Sequence, residues 1–117
     1  MFEKESGLLQ GTVELLILKT LSWGPMHGYG IASWIESATD DVLRVEEGSL
    51  YPALYRMTGK GWIKAQWGIT ENNRRAKYYH LTAEGRRQFR EQTSGWRRFA
   101  DAVDQAITTK SAPSWAK

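Results

Sequence analysis

The sequence predicts a mainly α-helical protein with one β-hairpin, and three observations lead to that prediction. Apolar residues recur every three or four positions in four stretches, which is the spacing of amphipathic helices. Residues 62–81 instead contain two alternating segments on either side of a turn-forming segment, as a hairpin does. The chain has 117 residues, which is the length of a single domain.

Composition narrows the class of protein further. The chain contains no cysteine, and this excludes disulfides, thiolate catalysis and thiolate metal sites. No apolar run approaches the ~20 residues of a membrane span, and residues 1–6 lack the pattern of a secretory signal. There is no phosphate loop, nucleophile motif or metal constellation. We therefore expect a cytoplasmic protein that is not an enzyme, with no membrane partner, metal or other cofactor.

The net charge of +3 is mild, but it is distributed unevenly. Residues 1–69 carry six Lys and Arg against eight Asp and Glu, whereas residues 70–99 carry eight against three. The basic character is therefore concentrated in one quarter of the chain.

The first helix is predicted over residues 12–21. Thr12 is the expected N-cap, and Leu15, Leu18 and Leu21 fall on one stripe. The segment Ser22-Trp-Gly-Pro25 contains the residues that end helices.

A second helix is predicted from about residue 27 to residue 39, with Ile31, Trp34, Ile35 and Ala38 on its apolar stripe. Gly28 and Gly30 lie in its first turn. Each glycine costs about 1 kcal/mol relative to alanine in a helix interior, which indicates close packing there. For the preceding residue, His27, we expect a structural hydrogen bond.

The third helix is predicted to open at Ser49 as its N-cap, with Pro52 at the third helical position, where a missing N–H has no consequence. Leu50, Ala53, Leu54 and Met57 form its core stripe, so other side chains of this helix remain exposed.

A hairpin follows, with strands at residues 62–67 and 76–81. Its tip, residues 71–75, is longer than a tight two-residue turn, so the hairpin is expected to project from the body. Tyr79 and Leu81 alternate onto the face that should meet the core.

The last helix is predicted from Thr82, its N-cap, to about Ile107. Its apolar seam has heptad spacing and consists of Phe89, Gln92, Trp96, Phe99, Val103 and Ala106. About three heptads are short for a free coiled coil, and so small a chain offers little inner surface. A second copy of the chain is the expected partner for this seam.

The predicted order is three helices, a hairpin and a last helix. This is the order of a winged helix-turn-helix domain (residues 8–81) followed by a C-terminal dimerisation helix (residues 82–108). The sequence resembles the PadR family of transcriptional regulators, of the short type with a single C-terminal helix. The matching segments are Gly11-Thr-Val-Glu-Leu-Leu-Ile-Leu18, Gly24-Pro-Met-His-Gly-Tyr-Gly-Ile31, Gly48-Ser-Leu-Tyr-Pro-Ala-Leu54, Gly61-Trp-Ile63, Arg74-Arg-Ala-Lys-Tyr-Tyr79 and Leu81-Thr-Ala-Glu-Gly-Arg86. Their order and spacing over residues 8–100 make the resemblance specific.

On this fold the third helix enters a major groove of double-stranded DNA and the wing touches the adjacent backbone or minor groove. The expected DNA-binding residues are Ser49, Tyr51, Pro52, Tyr55, Arg56 and Lys60 on the helix, and Asn73, Arg74, Arg75 and Lys77 on the wing. The alternatives are a helix cap with half-buried tyrosines in the first group and a solvated hairpin tip in the second.

Phe89, Trp96, Phe99 and Val103 are expected to form the dimer interface. The resemblance also implies sensing of a small molecule, and the aromatic residues of the seam suit a planar aromatic effector bound between subunits. The predicted function is that of a homodimeric regulator, most simply a repressor, acting on a pseudo-palindromic operator. The alternative is a winged-helix protein–protein interaction module that does not bind DNA.

Overall fold

The computed structural model describes residues 7–116, and it describes side chains from residue 11 onward. The elements follow in the order α1 (Gly7–Leu21), β1 (Met26–His27), α2 (Gly28–Ala38), α3 (Glu47–Gly59), β2 (Ile63–Ile69), β3 (Arg75–Leu81) and α4 (Ala83–Ile107). The predicted fold class, a mainly α winged helix-turn-helix with a C-terminal helix, is confirmed. The expectation of no secretory signal concerns residues 1–6, and these lie outside the described residues.

One aliphatic core joins the first three helices to the sheet. Its buried members are Val13, Ile17, Leu18, Leu21, Ile31, Ile35, Val45, Leu50, Ala53, Leu54, Met57, Ile63, Tyr79 and Leu81. The predicted stripe of α3 and the inward face of β3 are confirmed. The predicted apolar stripe of α1 was wrong in part. Val13 and Ile17 lie in the core, whereas Leu15 is only half-buried. Ala38, predicted for the stripe of α2, is exposed.

Two of the predicted helix starts are wrong. Thr12 lies inside α1, which begins at Gly7, so it is not an N-cap. α3 begins at Glu47 after Glu46, whose side chain makes no capping hydrogen bond, and Ser49 is the third helical residue. Pro52 is therefore the sixth helical residue and leaves the Gly48 carbonyl without its helical donor. Gly48 is exposed, so water can satisfy that carbonyl.

The N-terminus of α2 is fixed by His27, as predicted. Nδ1 of His27 accepts a hydrogen bond from the backbone N–H of Gly30 at 3.0 Å. The imidazole also meets the ring of Tyr78 edge-on, with centroids 5.2 Å apart. His27 therefore links the first turn of α2 to the hairpin. α2 itself ends at Ala38, one residue before the predicted end.

The sheet has three antiparallel strands in the order β1-β3-β2. The hairpin pairs Ile63 with Leu81 at its base and Ile69 with Arg75 at its end, so it is longer than predicted. β1 was not predicted: Met26 and His27 pair with Tyr79 and Tyr78. This third strand joins the hairpin to the segment between α1 and α2.

α4 begins at the predicted N-cap, where the Thr82 hydroxyl accepts from the N–H of Gly85 at 3.0 Å. Phe89 is the seam residue that packs against the core. α4 then runs beside α1 as far as Phe99, and its residues 101–107 are exposed. The molecule measures 64 × 28 × 21 Å. Within the described residues, no helix combines the length and the apolar character needed to cross a membrane.

Candidate nucleic-acid interface

The outer face of α3 is defined by its buried face. Leu50, Ala53, Leu54 and Met57 are essentially inaccessible, which fixes the rotation of the helix about its axis. Tyr51, Pro52 and Tyr55 therefore point outward, and Tyr55 is 82% exposed. Ser49 is half-buried beside them. Four of the predicted DNA-binding residues thus share one accessible face.

Tyr51 connects α3 to the two elements beside it. A Cβ placed on Gly28 would lie 2.8 Å from the Tyr51 hydroxyl oxygen, so the glycine leaves the space in which the phenol lies. Burial raises the pKa of Tyr79 on β3, and the nearby Tyr51 raises it further. Tyr79 is therefore an uncharged phenol at neutral pH. The close packing predicted at Gly28 is the packing of Tyr51 on the start of α2.

The wing consists of β2, β3 and the turn between them. The N–H of Thr70 donates to the carbonyl of Arg74 at 2.8 Å, and the N–H of Arg74 donates to the Thr70 hydroxyl at 3.2 Å. Asn73 has φ +62°, a left-handed conformation that asparagine tolerates better than most residues. The side chains of Arg74, Arg75 and Lys77 are exposed. The turn and the start of β3 are thus an ordered support for three cations.

α3 and the wing together form a notch of about 710 Å³. Tyr51 lies on one side, and Arg74, Arg75 and Lys77 lie on the other. The notch also contains Tyr29, which is exposed in the first turn of α2, and Thr70 of the turn. Sequence reasoning missed these two hydroxyl-bearing residues. The position of Tyr29 directly after Gly28 was the only available signal. A notch with cations and hydroxyl donors suits phosphate groups.

Arg56 and Lys60 lie nearer the C-terminal end of α3 and do not line the notch. Nε of Arg56 donates to Oε2 of Glu14 at 3.1 Å, and the carboxylate is largely buried in α1. Nζ of Lys60 lies 4.5 Å from the centroid of the Trp62 ring. Both cations therefore have partners within the chain. Of the ten predicted DNA-binding residues, the notch brings together Tyr51, Arg74, Arg75 and Lys77. The others do not line it: Ser49, Pro52, Tyr55, Arg56, Lys60 and Asn73.

The seam of α4 changes character along its length. After Phe89, the seam residues Trp96, Phe99 and Val103 remain 39%, 46% and 44% exposed. The rings of Trp96 and Phe99 are 6.0 Å apart and inclined at 39°. With Leu15 of α1 they line an open cavity of about 520 Å³ between the two helices. A single chain therefore leaves this apolar stripe partly exposed.

The fold, the exposed third helix and the cationic wing define a DNA-binding protein of the winged helix-turn-helix class. The model of the transcriptional regulator PadR-like family matches residues 17–91. The chain belongs to this family and is a transcriptional regulator. Membership of this family confirms the prediction that the protein is not an enzyme. It also argues against the alternative of a protein–protein interaction module that does not bind DNA.

Solved structures of similar proteins agree with this assignment. A transcriptional regulator of Clostridium thermocellum is 30% identical, with 86% of this chain and 97% of that chain covered and a TM-score of 0.77. A PadR-like transcriptional regulator of Bacillus cereus is 28% identical, with 90% and 100% covered and a TM-score of 0.76.

Two relatives are similar in sequence. Uncharacterized protein X of Lysinibacillus sphaericus is 25% identical over 99 residues, which cover 85% of this chain and 91% of the relative. An uncharacterized 37.1 kDa protein in transposon TN4556 of Streptomyces fradiae is 30% identical, and the match covers 31% of its length. Among the described residues, no group of three or more His, Asp or Glu side chains is arranged to hold a metal ion.

Proposed function

We propose that the protein is a cytoplasmic homodimeric repressor that binds a pseudo-palindromic operator and is released by a small planar aromatic effector. The observation that carries the DNA-binding mode is the notch, where Tyr51 and three wing cations face the same space. Residues 8–81 would contact DNA, and residues 82–108 would hold the dimer together.

In this mode α3 lies in the major groove and the wing lies along the neighbouring phosphates or minor groove. The residues proposed to touch DNA are Ser49, Tyr51, Pro52 and Tyr55 from α3, with Asn73, Arg74, Arg75 and Lys77 from the wing. Arg56 and Lys60 would reach only flanking phosphates, because each already has a partner in the chain. Two copies of α3 about 34 Å apart would match half-sites one DNA turn apart.

The salt dependence of binding tests this mode. If about six phosphates are contacted, the affinity for a duplex should fall about 1,000-fold between about 50 and 200 mM salt. Fluorescence anisotropy of a labelled duplex across that range measures the slope. Binding that does not change with salt would contradict a mechanism based on phosphate neutralisation.

The exposed half of the α4 seam supports the homodimer. Changing Phe99, which is 46% exposed on that seam, to glutamate should convert the dimer to a monomer, because a carboxylate would be buried without a partner. Sedimentation should give twice the 13.4 kDa chain mass for the unchanged protein and the single mass for the variant. Gln105→Glu adds the same charge at an exposed position on the other side of α4 and should remain dimeric. A dimeric Phe99→Glu variant would place the interface elsewhere.

The aromatic effector is supported by the cavity beside Trp96 and Phe99, whose volume is suited to a small ligand. A planar compound that enters it should quench tryptophan fluorescence, and Trp96→Phe should remove most of that quenching. Trp115→Phe, at an exposed position after α4, is the matched control and should leave the response intact. If no planar compound quenches the protein while DNA still changes its fluorescence saturably, the effector proposal is wrong.

Repression requires a promoter that the protein occupies. The DNA upstream of its own gene is the first duplex to test, since regulators of this kind often control themselves. A specific gel shift there, with less transcript from that promoter in vitro, is expected of a repressor. A shift with increased transcript would make the protein an activator.

A further inference from the structure

Trp67 is a large apolar residue that the core does not use. It lies near the end of β2 and remains 57% exposed. β2 is an edge strand of the three-stranded sheet, and its described neighbour is β3. An exposed tryptophan on a projecting hairpin needs an explanation other than folding.

Strand register identifies the face on which Trp67 lies. Trp67 is directly opposite Lys77, and Ile69 is opposite Arg75. Because alternate residues of a strand share a face, Trp67, Arg75, Lys77 and Tyr79 all lie on the same side of the wing. Three of these four residues line the notch beside α3. Trp67 therefore belongs to the side of the wing that faces the candidate DNA site.

The indole ring holds two of the wing cations. Cζ of Arg75 lies 4.5 Å from the ring centroid, and Nζ of Lys77 lies 5.7 Å from it. Both distances are within the range of cation–π attraction. Neither cation forms an ion pair with a carboxylate among the described residues. The ring is thus the group that restrains both side chains.

The wing backbone is held by a different aromatic residue. Tyr78 lies on the opposite face, where its ring occupies the space that a Cβ on Gly68 would fill. Its hydroxyl donates to the carbonyl of Ile69 at 3.3 Å, and its ring contacts His27 of the body. Removing the Trp67 ring therefore leaves these supports of the wing in place.

We propose that Trp67 is a positioning residue for DNA binding, whose ring holds Arg75 and Lys77 on the notch side of the wing in the orientation that reaches phosphates. Long cationic side chains lose rotamer freedom when they bind, and a ring that restrains them beforehand reduces that loss. The inference rests on the proposed function, since it assigns Trp67 a role within that same interface.

The test compares Trp67→Leu with a matched control, using anisotropy of a labelled random-sequence duplex at low salt. Leucine is apolar but smaller, and it has no π face. Trp23 is also exposed and has Lys19 at 4.3 Å over its ring, so Trp23→Leu removes the same kind of contact away from the wing. Trp67→Leu should weaken binding about fivefold, Trp67→Phe should retain most of the affinity, and Trp23→Leu should bind as the unchanged protein does.

A second comparison separates positioning from direct contact. In a protein that already carries Arg75→Gln and Lys77→Gln, Trp67→Leu should have no further effect, because there are no cations left to position. If Trp67→Leu lowered the affinity further in this background, the ring itself would touch DNA. If Trp67→Leu alone kept full affinity, the ring would have no role in binding. Either result would overturn the inference. If the unchanged protein binds no duplex at low salt, the proposed function fails and the inference fails with it.

Discussion

Replacing Arg74 and Arg75 together by glutamate is expected to weaken DNA binding by about 100-fold or more at low salt. Both side chains are exposed at the end of the wing and line the notch beside α3. The change removes two of the proposed phosphate contacts from each copy of the chain and puts carboxylates in their place. The slope of log affinity against log salt should also become less steep, because fewer counterions are released.

The control for this experiment is Arg97→Glu with Arg98→Glu. It makes the same change in net charge at exposed positions of α4. These positions lie about 20 Å along the helix from its N-cap. Sedimentation of both variants checks that they keep the oligomeric state of the unchanged protein. If the α4 variant lost as much affinity as the wing variant, the effect would be one of total charge, and the wing would have no particular role. Equal affinity of the wing variant and the unchanged protein would exclude the proposed interface.

Much of the fold could be predicted because it depends on local spacing. The stripe Leu50, Ala53, Leu54 and Met57 is buried as its period requires, and this fixes which side of α3 is exposed. Thr82 caps α4 because the Thr hydroxyl reaches the N–H of Gly85, an interaction within a single turn. Such features need no knowledge of the rest of the chain.

Helix starts were predicted less well because they were inferred from side-chain caps alone. The carbonyl of Glu46 accepts the N–H groups of Ser49 and Leu50, and its side chain makes no cap bond. A helix that begins this way has no side-chain cap to detect, and its remaining signal is the acidic Glu47 in the first turn. Pro52 suggested a later start, but the exposed Gly48 lets the helix include a proline in its second turn.

The candidate site could be predicted only in pieces. The wing cations and Tyr51 of α3 lie in two separate parts of the sequence, and the chain folds them onto one notch. Tyr29 joins them because β1 pairs with β3 and brings the start of α2 beside the hairpin. A strand of two residues has no periodicity to detect, and its pairing partner is some fifty residues away in the chain. Contacts between distant segments are what the local patterns could not supply.

Replacing Gly85 by alanine is expected to lower the free energy of unfolding by about 3 kcal/mol, the cost typical of overpacking a core position. A Cβ at Gly85 would lie 2.0 Å from the carbonyl oxygen of Trp62 and 3.2 Å from Cδ2 of Leu81. The Trp62 carbonyl cannot easily move, because it accepts a hydrogen bond from the backbone N–H of Thr82 at 3.0 Å. The gain of about 1 kcal/mol in helix propensity does not offset this clash.

Gly85 lies where α4 meets the base of the wing, so its substitution should disturb the two proposed functional surfaces together. Thermal unfolding at matched protein concentration should show a melting temperature lower by about 10 °C or more, with DNA binding and dimer formation lost in parallel near that temperature. Gly59→Ala is the control: Gly59 is also helical but has no atom within 4 Å of the added Cβ, so its variant should be as stable as the unchanged protein or slightly more. A Gly85→Ala variant that melts with the unchanged protein would mean that α4 does not pack against Trp62, and the orientation of the seam relative to the wing would then have to be revised.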